Sequence, residues 1–83
     1  MSWNYRIVEF DDIDEGKYFE IKEVYYNRDG SLMGYCDASI GGKSFSDVIK
    51  VLDMMKSDSH KSVLKVEDFK GASYESEERS GAD

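Results

Sequence analysis

Eighty-three residues carry eleven Lys and Arg against eighteen Asp and Glu, a net charge of -7, and leave room for one small domain without a second lobe. A surface of that sign repels nucleic-acid phosphates and anionic lipid, so no direct nucleic-acid or membrane binding is expected; the partner is another protein, either a second copy or a basic one. The single cysteine rules out an internal disulfide and fits a reducing compartment, and with no signal-peptide pattern and no apolar run near the roughly 20 residues of a membrane span, the expected location is the cytoplasm.

In chain order, Trp3 to Phe10 reads as a first strand, since Trp3, Tyr5 and Ile7 alternate with Asn4 and Arg6 before the pattern breaks at Val8 and Phe10. Residues 11–16, DDIDEG, make an acidic connection to a hairpin running from Lys17 to Asp37. There two apolar runs flank Asn27-Arg28-Asp29-Gly30, and a three-residue loop with Gly30 in the left-handed conformation pairs Asn27 with Ser31. Continued without interruption, that pairing sets Tyr26 against Leu32, Tyr25 against Met33, Val24 against Gly34, Glu23 against Tyr35 and Lys22 against Cys36. One face then carries Phe19, Ile21, Glu23, Tyr25, Met33 and Tyr35; the other carries Val24, Tyr26, Leu32 and Cys36 around Lys22 and Gly34.

After a glycine-containing loop, Ser44 is the expected N-cap of a helix, with Asp47 three residues on in a near capping-box pattern. Phe45, Val48, Ile49, Leu52 and Met55 form one apolar stripe, which a helix ending near Ser57 to Ser59 should lay over one face of the sheet. Val63 to Phe69 is either a short fourth strand or a segment that packs Val63, Leu64 and Phe69 against the layer edge. Residues 70–83 lack apolar periodicity and are expected to form a disordered acidic tail. The expected fold is an α+β domain over residues 1–69. It is a three- or four-stranded antiparallel meander with one amphipathic helix on one face, in the order β-β-β-α-(β).

Few residues suggest chemistry. Glu9, Asp11, Asp12, Asp14 and Glu15 precede Gly16, but the EF-hand alignment that puts Gly16 sixth places Ile13 third and Lys22 twelfth, where calcium ligands belong. Gly41-Gly42-Lys43-Ser44 resembles the end of a phosphate-binding loop, yet Asp37 stands where its first glycine should be. Cys36 and His60 lie on different elements with no third orienting group marked by spacing. Glu23 would sit among Phe19, Ile21, Tyr25 and Tyr35, where a structural polar contact accounts for it more simply than a general acid. No catalytic, metal-binding or cofactor-binding residue is therefore assigned, and no enzyme activity is expected.

The stretches WNYRIVEF, EVYYNRDGSLMGY, Ser44 to Met55 and VLKVEDF resemble a widespread group of short bacterial proteins of unknown function, with W-N-Y-R near the start and E-V-Y-Y before D-G. The resemblance covers Trp3 to about Phe69 and implies no activity, because its motifs are turn and packing residues. The element order is also similar to that of HicB-type antitoxin domains, without their DNA-binding segment.

A single helix can cover one face of a sheet that is apolar on both. The expected role is thus a non-enzymatic protein-interaction module, homodimeric through whichever sheet face the helix leaves open, with Val24, Tyr26, Leu32 and Tyr35 as contact candidates drawn from both faces. The alternative is an acidic inhibitor of phage or mobile-element type that mimics nucleic acid and seats Glu9, Asp11, Asp12, Asp14 and Glu15 in a basic groove of its target.

Overall fold

The hairpin turn sets the geometry of everything that follows it. Gly30 takes a φ of +89°, its N–H bonds the Asn27 carbonyl at 2.9 Å, and the Asn27 N–H bonds the Ser31 carbonyl at 2.8 Å, which is the expected closure. Asp29 secures the turn by accepting from the backbone N–H and the hydroxyl of Ser31.

The computed structural model describes residues 2–69; the tail expected over residues 70–83 lies outside them. The elements are β1 (Ser2–Asp12), β2 (Gly16–Tyr26), β3 (Leu32–Asp37), α1 (Phe45–Asp58), β4 (Leu64–Lys65) and a 3-10 turn over Val66–Phe69. They form one sheet in the order β3-β2-β1-β4, antiparallel except for β4, which runs parallel to β1 through Val8 with Leu64 and Glu9 with Lys65. The fold is α+β in the expected order, and residues 63–69 combine both alternatives, a two-residue strand and then a turn that packs Phe69, with Leu64 against the core and Val63 exposed, contrary to the packing expected of it.

One residue changes the hairpin faces. Tyr26 pairs with Leu32, but Tyr25 pairs with Gly34, so Met33 is an extra residue in β3 and the ladder beyond it shifts by one. Because side chains alternate, the shift sends Tyr35 to the Val24 face and Cys36 to the Glu23 and Tyr25 face, the reverse of the uninterrupted register.

The face that receives Tyr35 is the core. Val8, Phe10, Val24, Tyr35 and Phe69 form its buried cluster, with Tyr26, Leu32, Leu64 and Val66 packed around it. The Phe69 ring meets Tyr35 edge-on at 4.9 Å, Tyr35 meets Phe10 edge-on at 5.9 Å, and Phe10 stacks on Tyr18 at 5.2 Å. Lys22 is 3% exposed on this face, its ammonium lying 5.5 Å from the Phe10 centroid and 5.9 Å from that of Tyr35. The charge is held by Asp37 at 2.6 Å and Glu20 at 3.0 Å, both exposed, so the aliphatic stem is buried while the head meets carboxylates at the rim. Arg6 ties the roof down: its guanidinium donates to the Ser62 carbonyl and hydroxyl and to the Tyr26 hydroxyl, which in turn donates to Asn4.

Candidate interaction surface

The roof over the core comes from the 3-10 turn and not from the helix. This corrects the contact candidates: Val24 (0% exposed) and Tyr35 (4%) are core residues, while Tyr26 and Leu32 are half-buried against the same cluster. A side chain enclosed by its own chain cannot meet a partner, so Val24 and Tyr35 are not contact residues.

Nor does the helix stripe lie on the sheet as expected. α1 begins as read, with Ser44 capping it by accepting the Asp47 N–H at 3.2 Å, and Asp47 Oδ2 accepting the Lys43 N–H at 3.1 Å. A methyl on Gly42 would collide with Asp47 Cβ, so the glycine is there for close packing, and a carboxylate already occupies the loop amide a phosphate would need. The helix then packs against β1 through a narrow arc. Met55 is its buried residue, with Val48, Val51 and Asp58 half-buried along the same line. Asp58 fixes the contact by accepting the Tyr5 backbone N–H at 3.1 Å and an ion pair from Lys61 at 3.0 Å. Burial pushes the Asp58 carboxyl up, but the Lys61 ammonium and the Tyr5 N–H outweigh it and leave the pKa below the usual carboxylate range.

Rotating that arc toward the sheet turns the rest of the expected stripe outward. Phe45 is 92% exposed, Ile49 53% and Leu52 43%, three side chains at i, i+4 and i+7 on one line of the helix. Ile40 in the preceding loop is exposed as well. On the second sheet face Tyr5 is buried, Ile7 and Ile21 are half-buried, and Trp3 and Phe19 are exposed. Sequence periodicity identified these helix residues as apolar neighbours; which of them would face water depended on the helix's rotation about its axis.

The remaining candidates are dispersed. Cys36 lies beside Glu23 and Tyr25 because of the bulge: the Tyr25 hydroxyl donates to Glu23 at 2.7 Å and lies 3.5 Å from Cys36 Sγ, which donates to Glu23 at 3.7 Å. Glu23 thus has the structural polar contact expected of it, with Cys36 in place of Tyr35. The bonds to Cys36 and Glu23, with burial, raise the Tyr25 hydroxyl far above the ordinary phenol range. Burial also raises the Cys36 thiol, so the group is a neutral thiol and a poor nucleophile. His60 is exposed beyond α1, with β1 and β2 between its end of the sheet and Cys36 on β3. Glu9 pairs with Lys17 at 3.5 Å, while Asp11, Asp12, Asp14 and Glu15 are exposed at the β1–β2 tip. Asp12 accepts the Asp14 and Glu15 N–H groups, which lower its pKa and shape the turn. Among the described residues no group of three or more His, Cys, Asp or Glu is placed to hold a metal ion, and no helix is long and apolar enough to cross a membrane.

No family model, curated protein or solved structure matches the chain at a significant level.

Proposed function

We propose that the protein is a non-enzymatic, cytoplasmic protein-interaction module that binds through the outward line of α1, Phe45, Ile49 and Leu52. The observation that carries this reading is the exposure of three large apolar side chains in register on one helix, in a chain whose compact core is made elsewhere. Scattered apolar residues on a surface are ordinary, but a continuous line on a helix is the pattern of a helix that docks. The net charge of -7 favours a protein partner over nucleic acid or anionic lipid. The neutral Cys36 thiol and its separation from His60 support a role without nucleophilic catalysis.

Photo-crosslinking in the producing cells tests the reading. A photoreactive phenylalanine analogue at position 45 should give a discrete protein adduct that disappears when Ile49→Glu is added. No adduct, or one indifferent to Ile49→Glu, contradicts the assignment.

A further inference from the structure

Resting on that reading, we infer that the occupant of the α1 line is a second copy of the chain, the two helices pairing antiparallel across a twofold axis near Ile49. Charge distribution selects this occupant. Residues 43–61 hold Lys43, Lys50, Lys56 and Lys61 against Asp47, Asp53 and Asp58, a balance of +1, so the rest of the chain carries -8 of the total of -7. Two copies approaching elsewhere present like charge to each other; approaching through α1 they present alternating, nearly balanced charge around an apolar line. A twofold axis presents the same patch on both partners, which an apolar line with mixed flanking charge satisfies without a separate complementary surface.

Orientation follows from Lys56, which lies one turn beyond Leu52 on the same line of the helix. A parallel pair sets Lys56 beside its own copy, whereas an antiparallel pair carries the two lysines to opposite ends and opposes the helix dipoles favourably. The pairing also supplies what α1 lacks as a single copy. A 14-residue helix with one buried side chain has little to hold it, since helices of that length are marginal in water without a packed face. Association therefore orders α1 as well as covering it.

Sedimentation equilibrium on the full chain, from about 1 µM to about 1 mM, reads the result. The mass should rise toward twice the chain mass and no further, and Ile49→Glu should weaken association by about 100-fold or more. A chain mass at every concentration, or growth beyond the dimer, overturns the inference. Disulfide crosslinking in a Cys36→Ser background reads the orientation. Ile49→Cys should link to itself, and Phe45→Cys should link to Leu52→Cys but not to itself; self-linking at 45 as efficient as at 49 contradicts the antiparallel pair. The two readings fail separately. A position-45 photo-adduct of any mass other than the dimer overturns the second copy and retains the docking surface. An Ile49→Glu substitution that lowers the unfolding midpoint of the dilute chain shows the line to be part of the fold and removes both.

Discussion

Two segments pack against the sheet, and they are of opposite character. A four-residue 3-10 turn, Val66–Phe69, closes a dense core over Val8, Phe10, Val24 and Tyr35, while a 14-residue helix buries little beyond Met55. Length of secondary structure is thus no guide to where stability lies. Phe69, 4% exposed, is a single ring set edge-on against Tyr35, whereas Phe45 at the start of the helix is 92% exposed. The contrast is a division of the chain: the 3-10 turn closes the core, and α1 leaves Phe45, Ile49 and Leu52 in water.

That division can be broken or sharpened by substitution. The largest effect should come from Phe69→Ala, which opens the roof and should cost about 3–5 kcal/mol, most of the margin of so small a domain, as read by urea unfolding. Asp58→Ala should cost about 1–2 kcal/mol, because it strands the Tyr5 N–H where α1 meets β1. The depressed Asp58 pKa fixes the sign of a pH effect: its contribution is present above the unfolded carboxyl pKa, near 4, and is lost as pH falls through the lower folded value. The acid sensitivity of the wild type should therefore be blunted in Asp58→Ala. Gly30→Ala should cost about 1 kcal/mol for forcing a side chain into positive φ. Deleting Met33 should cost less than about 1 kcal/mol, since removing the extra residue leaves Tyr35 opposite Val24; loss of the fold on deletion would refute the bulge. Phe45→Ser should change the stability of the dilute chain by no more than about 0.5 kcal/mol.

What could be read in advance follows the same division. The Asn27 to Ser31 closure and the Ser44 cap were legible because glycine at positive φ and a hydroxyl before an apolar stripe each have one dominant local use. The bulge was not, because Met33 fits either face and Gly34 beside it, a residue type that can mark a bulge, fits the uninterrupted pairing opposite Val24 equally well. That single position misassigned Tyr35 and Cys36, and with them the partners of Glu23. The helix was legible as an amphipathic element, but Met55 and Val48 belong to two overlapping arcs, one with Phe45, Ile49 and Leu52 and one with Val51 and Asp58. The second arc won because Asp58 bonds the Tyr5 backbone, a long-range contact that periodicity cannot register.

Amide hydrogen exchange followed along the chain as a function of protein concentration tests the central claim most directly. The account predicts that the amides of α1 gain protection as concentration rises while those of Val8 and Val24 stay protected throughout. Protection of α1 equal to that of Val24 in the dilute chain, unchanged on concentration, would contradict it.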